Sequence, residues 1–115
     1  MNYNSDFKYD LQVGQLGEQK LAEILNDSKI EVKTDLKAHE TGNVFIEYSS
    51  RNKPSGISTS EAEYYAFIIK GSIVIKKASH LKDICRKYLG TKRDVLGGDN
   101  NTSKGILLPI TDLLK

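Results

Sequence analysis

The chain contains a single cysteine, Cys85, so it can form no internal disulfide and no cysteine-based zinc site. Cys85 falls in a stretch with helical spacing and reads as a small buried hydrophobe. Long apolar runs are lacking too: none approaches the ~20 residues needed to span a bilayer. The N-terminal stretch MNYNSDFKYDLQ has acids and no apolar core segment, which is not the pattern of a secretory signal. A reducing cytoplasm is the expected setting, with no membrane partner. Repeats, low-complexity tracts and linker-like segments are missing as well. Charge of one sign is scarce: seventeen basic residues stand against fifteen acidic ones, a net charge of +2. Any nucleic-acid surface must therefore come from local clustering rather than from the overall balance. What remains is an ordinary globular composition, 38% apolar and 28% charged over 115 residues. That is one domain's worth of chain, with enough surface to bury for a core.

Periodicity divides the chain into elements of both kinds. The first dozen residues are polar and aromatic and read as a flexible arm. Leu16, Leu21, Ile24 and Leu25 follow helical spacing, which predicts a helix over 16–26. Charged and β-branched residues alternate over 30–35, the mark of a half-buried strand, and 44–49 reads as a second strand. With Thr41-Gly42-Asn43 as turn chemistry between them, the two are expected to form a hairpin. A loop follows at 51–56, then a short helix from Ser58 or Thr59 to Tyr64. Two strands, 65–70 and 73–77, are joined by Gly71-Ser72. Ser79 would cap a helix to about Leu89, with Leu81, Ile84, Cys85 and Tyr88 on one side. Residues 96–101 read as a loop, 105–110 as a strand and 111–115 as a short helical end. The expected class is α/β: a single domain with one mixed sheet flanked by helices.

Three carboxylates stand out. In a helix, Glu18 lies on the face of Leu21, Ala22 and Leu25, where a carboxylate needs a partner or a wet helix end. Asp35 shares one strand face with Glu31 and Lys33, and Glu47 shares one with Phe45 and Ser49. If the hairpin pairs residue 35 opposite 45 or 47, Asp35 and Glu47 meet on one face; a register shifted by one separates them. Two acids brought together repel unless a cation lies between them, and carboxylate oxygens suit Mg²⁺. Otherwise Asp35 is balanced by Lys33 or Lys37 on a solvated face.

The strings Glu31-Val32-Lys33-Thr34-Asp35, Thr41-Gly42-Asn43-Val44-Phe45-Ile46-Glu47-Tyr48, Lys53-Pro54-Ser55-Gly56-Ile57 and Gly97-Gly98-Asp99-Asn100-Asn101-Thr102-Ser103-Lys104-Gly105 resemble small phage-type nucleases of the PD-(D/E)XK superfamily. The resemblance spans roughly residues 10–110. It implies a restriction-endonuclease-like fold and a metal-dependent DNA endonuclease. Glu18, Asp35 and Glu47 would be catalytic and hold Mg²⁺, with Mn²⁺ able to substitute. Branched DNA such as a Holliday junction is a reasonable substrate, and a homodimer is expected. Ser49 stands where the family places its lysine. Either Lys53 in the adjacent loop takes that role, the preferred assignment, or Glu31-Val32-Lys33 is itself the Glu-x-Lys element and Glu47 supports it. A third outcome is a degenerate site that only binds DNA. An adaptor or inhibitor acting on a host protein is the rival from another class.

Arg51, Ser55 and Thr59, with Ser58 and Ser60, offer a cation and hydroxyls for phosphate contacts. Lys82 and Arg86 lie four apart on one helix face, as a stripe tracking a DNA backbone would; either group can equally be a solvated surface. Lys76, Lys77, Lys87, Lys92 and Arg93 add to the basic side. The 97–101 loop lacks the lysine-serine ending of a nucleotide-binding loop. His39 and His80 read as surface residues.

Overall fold

The computed structural model describes residues 10–12, 26, 28–35 and 37–115. The expected arm and first helix, with Glu18, lie outside the described residues, save residues 10–12 and Asn26. Among the described residues, eight strands build two four-stranded sheets. The mixed sheet holds β1 (Asp10–Gln12), β6 (Ser72–Lys77), β5 (Tyr64–Ile69) and β2 (Ile30–Thr34) in that order. The antiparallel sheet runs β4 (Lys53–Pro54), β3 (Asn43–Ser50), β8 (Ser103–Pro109) and β7 (Asp94–Gly97). Three helices are described: α1 (Ala38–Thr41), α2 (Ala78–Arg86) and α3 (Ile110–Leu113). This is an α/β domain with mixed strand directions and few helices. No helix among the described residues is long and apolar enough to cross a membrane.

The expected hairpin of β5 with β6 forms, its turn at Lys70-Gly71, one residue earlier than Gly71-Ser72. Its aromatic and β-branched strands suit a pleated surface, and Ile69 pairs with Ser72 across a two-residue turn. Lys70 and Gly71 both take positive φ, 24° and 78°, which a turn matching the strand twist requires.

The expected hairpin of 30–35 with 44–49 does not form. β2 pairs in parallel with β5, while β3 pairs with β8 and β4 in the other sheet. The linker explains this. The Asp35 Oδ1 accepts the Lys37 N–H at 3.0 Å, and the chain then turns into α1, anchored by the fully buried Ala38. Gly42 ends α1 at φ 76°, its N–H bonded to the Ala38 carbonyl. Side-chain competition for the backbone and a left-handed helix stop thus send β3 away from β2.

Three smaller expectations also change. Residues 59–64 form no helix; a 3₁₀ turn, Gly56–Ser58, precedes an extended approach to β5. Residues 94–97 extend the antiparallel sheet as β7 before the 3₁₀ turn Asp99–Asn101. Helix α2 begins at Ala78, so Ser79 lies inside its first turn rather than capping it.

One core joins the two sheets and α2. Val44, Ile46, Ile106 and Leu108 of the antiparallel sheet cluster with Tyr65, Phe67, Ile69 and Val74 of the mixed sheet. Leu81, Ile84 and Cys85, at helical spacing on α2, complete it. A smaller cluster of Ala66 and Ile75 lies on the opposite face of the mixed sheet. The outer side of the antiparallel sheet carries the Phe45 ring, which needs Gly105: a Cβ there would stand 2.5 Å from the ring.

Candidate active site

Strand β2 supplies the first half of the site. Glu31 and Lys33 are two residues apart and share a face, in parallel register with Tyr65 and Phe67 of β5. They lie at the margin of the core, where a long side chain can keep its charged end wet. The Lys33 Nζ lies 3.1 Å from Glu31 Oε2, and the Ser60 hydroxyl donates to Glu31 Oε1 at 3.4 Å.

The second half comes from an irregularity in β3. Glu47 pairs with Gly105 and Ser49 with Lys104, which leaves Tyr48 as an extra residue in the ladder. Such a bulge bends the strand and re-aims its groups. The Tyr48 carbonyl instead accepts the Ser55 N–H at 3.1 Å and the Ser58 hydroxyl at 2.8 Å, which folds residues 55–58 against the strand. The Ser55 hydroxyl then donates to Glu47 Oε2 at 2.9 Å. Gly56 allows this closeness: its φ is +53°, and a Cβ would stand 2.2 Å from the Glu47 carbonyl oxygen.

The two halves meet around a cavity of about 230 Å³, which Glu31, Lys33 and Glu47 line together with Ile57, Tyr65 and Phe67. Phe45, Ile46 and Glu47 all reach it, so it runs along an edge of β3 rather than beneath one face. Tyr65 is 2% exposed and stacks on Phe67 with ring centroids 6.0 Å apart. Its buried hydroxyl makes no hydrogen bond to any described residue. Burial pushes its pKa up; Ser60 acts in the opposite sense, and Glu31 adds to the rise. Both neighbours are thus close enough to affect its titration without meeting hydrogen-bond geometry.

Of the residues singled out from sequence, Glu47, Lys33 and Ser55 come together here. Asp35 stands just past the end of β2, held by Lys37, and is not among the residues around the cavity. Asp35 and Glu47 belong to segments of different sheets, so no shared sheet face joins them. Lys53 pairs with Ser50 at the exposed edge strand β4 and does not line the cavity either. Arg51 is exposed, with its N–H on the Thr102 carbonyl. Thr59 is exposed near the turn, while Lys82 and Arg86 border a separate pocket on α2. His39 lies 3.8 Å from Glu40 at the surface, and His80 is exposed on α2. Tyr65 is the residue that sequence reading missed: it stands in an apolar strand where an aromatic residue raises no question.

No group of three or more histidine, cysteine or acidic side chains among the described residues could hold a metal. Among the described residues, the cavity's carboxylates are Glu31 and Glu47. That fits Mg²⁺, which commonly takes one or two carboxylates and completes its shell with waters and substrate phosphate. It does not fit the nitrogen- and sulfur-rich sets of structural zinc. No family model, curated protein or solved structure matches the chain.

Proposed function

We propose that this protein is a metal-dependent DNA endonuclease whose site is the cavity between β2 and β3. The observation that carries the reading is that Glu31, Lys33 and Glu47 line one cavity. Within it, the Glu31-Val32-Lys33 segment provides the Glu-x-Lys spacing and Glu47 the second acid. The sequence likeness to PD-(D/E)XK nucleases supports it from a separate direction. Glu31 and Glu47 would hold Mg²⁺, which supplies polarisation of the phosphodiester and a more acidic bound water. The chain's own groups do the rest. Lys33, kept beside Glu31, presents a positive charge to the transferring phosphoryl group, where that reaction needs it. Ser55 fixes the orientation of Glu47. Ile57 and Phe67 give the cavity an apolar wall on its inner side.

The test is incubation of purified protein with supercoiled plasmid and a synthetic four-way junction, in Mg²⁺, Mn²⁺ or chelator. Metal-dependent cutting lost in Lys33→Ala and Glu47→Gln but kept in Lys53→Ala is the expected result. Loss in Lys53→Ala alone would move the site to the loop, and no cutting by the wild-type chain in either metal would sink the reading.

One arrangement favours a second reading, a nuclease-like module that binds DNA without cutting it. Asp35 follows β2 of the mixed sheet while Glu47 lies on β3 of the antiparallel sheet, and Ser49 occupies the position of the family's lysine. Metal-independent DNA binding with no cleavage in the same experiment would select it.

A further inference from the structure

A second cavity, of about 320 Å³, lies between α2, β3 and the 55–58 turn. Its chemistry is unlike that of the first. Ile46, Ile57 and Ile106 form its floor with the buried Cys85, and Tyr48 also lines it. The Tyr48 hydroxyl donates to Asp94 Oδ1 at 2.7 Å, which fixes the ring. Lys82 and Arg86, four residues apart on one face of α2, line the same cavity. Lys82 is half-buried, so its stem follows the apolar wall while its ammonium stays in water. The bond from Arg86 to Asp83 joins two side chains that are both about two-thirds exposed. A pair so open to solvent holds the guanidinium only weakly, leaving it able to turn toward an anion.

An apolar slot for one flat group with two cations at its mouth has the composition of a nucleotide: base below, phosphate above. The volume stands at the small end of ligand pockets. That is too short a groove for the successive anchors of a bound helix, which repeat at i, i+4 and i+7. Ile46 and Ile57 line both cavities, so a base seated here would put its neighbouring phosphodiester toward the carboxylate cavity.

We infer that the α2 pocket receives one unpaired nucleotide of a bound DNA, its base against Tyr48 and Ile57 and its phosphate between Lys82 and Arg86. This rests on the nuclease reading for its substrate class and deepens it: the preferred DNA is one with an unstacked nucleotide, at a bulge, a branch point or a frayed end. In such DNA the unstacking is already done, so binding forgoes that cost.

The experiment is fluorescence anisotropy in chelator, so that nothing is cut. It compares a fully paired duplex with the same duplex carrying a single-nucleotide bulge. The bulged duplex is expected to bind at least about tenfold more tightly, as base stacking in a protein pocket commonly contributes that much. Leu89→Trp, at an exposed residue that also lines the pocket, should remove the preference and leave affinity for paired duplex unchanged. Lys82→Glu with Arg86→Glu should weaken binding of both and flatten the salt dependence. Equal affinity of the wild-type chain for both duplexes overturns the pocket assignment. If plasmid is still cut in Mg²⁺, the nuclease reading survives that failure. Absence of binding to either duplex at low salt overturns both, and points to a protein ligand for the groove instead.

Discussion

Ile46 and Ile57 separate two cavities of opposite character. On one side stand two carboxylates, an ammonium and a buried hydroxyl without a partner among the described residues. On the other stand a thiol, isoleucines and a tyrosine ring, with cations only at the rim. The difference comes from the elements that build them. A strand with charges at every second residue, Glu31 and Lys33, aims them all to one side and so brings charge to the edge of the core. A helix with buried residues at Leu81, Ile84 and Cys85 sets Lys82 and Arg86 at the border of its apolar stripe. The strand thus makes a reactive cleft and the helix a recognising one. The turn holding Ser55 and Ile57 serves both.

The largest expected effect concerns the apolar side. Burial pushes the Cys85 thiol from 9.0 up to about 12. At pH 8 its thiolate is therefore about a thousandfold rarer than in the denatured chain, since each pKa unit is a factor of ten. Iodoacetamide should label folded protein slower than urea-denatured protein by about that factor, because the thiolate is the nucleophile. The linked stability has a definite sign. The folded pKa lies above the unfolded one, so the unfolded chain releases its proton first. Stability is complete below pH 9 and falls as pH rises toward 12. Rapid labelling of the folded chain at pH 8 would mean that this cavity is wet, and the contrast between the two sides would be lost.

Next comes a pair of exchanges that should act on one side each. Glu47→Gln keeps the shape of the side chain and removes its charge. Cleavage should fall by about a hundredfold or more, the scale of losing one group that stabilises a transition state. DNA affinity in chelator should stay unchanged. Leu89→Trp should act the other way, with catalysis on paired plasmid kept and bulge preference lost. If Glu47→Gln abolished DNA binding as well, the two sides would not be separable functions.

How much of this was legible in the sequence depends on how local the determining contacts are. The β5–β6 hairpin and α2 could be read because strand alternation, a two-residue turn and helical spacing are all local. The β2–β3 hairpin was misread because Thr41-Gly42-Asn43 has turn chemistry that in fact terminates α1. The strands' true partners, β5 and β8, lie far along the chain. The site shows the same division. Glu47 and Lys33 were visible as acids and bases on strand faces. Their meeting depends on the bulge at Tyr48 and on the Gly56 turn, neither of which a charge pattern announces. The orphan hydroxyl of Tyr65 had no signal, since its environment is assembled from three separate segments.

Gly56 is where both cavities can be disturbed at once. Alanine there would be strained at φ +53°, and its Cβ would meet the Glu47 carbonyl oxygen at 2.2 Å. The turn must shift, at a cost of about 2–3 kcal/mol in urea unfolding, the scale for strained backbone and overpacking. Cleavage and bulge preference should decline together, because Ser55 and Ile57 move with the turn. Loss of only one would show that the turn does not couple them.

The smallest effect is also the one with an unusual sign. Truncating a buried aromatic residue normally destabilises, but Tyr65→Phe removes only a hydroxyl that is buried and makes no hydrogen bond to a described residue. An unsatisfied buried donor costs about 1–3 kcal/mol; with Glu31 and Ser60 close by, the lower end applies. The variant should therefore be about 1 kcal/mol more stable than the wild type, raising Tm by about 4 °C for a chain of this size. The same change should slow cleavage if the hydroxyl meets substrate in the reacting complex. A gain in stability coupled to a loss of rate is what a group held ready for a ligand would give. A destabilised Tyr65→Phe would instead mean that the hydroxyl already has a structural partner, and that the polar cavity is a satisfied network rather than a waiting site.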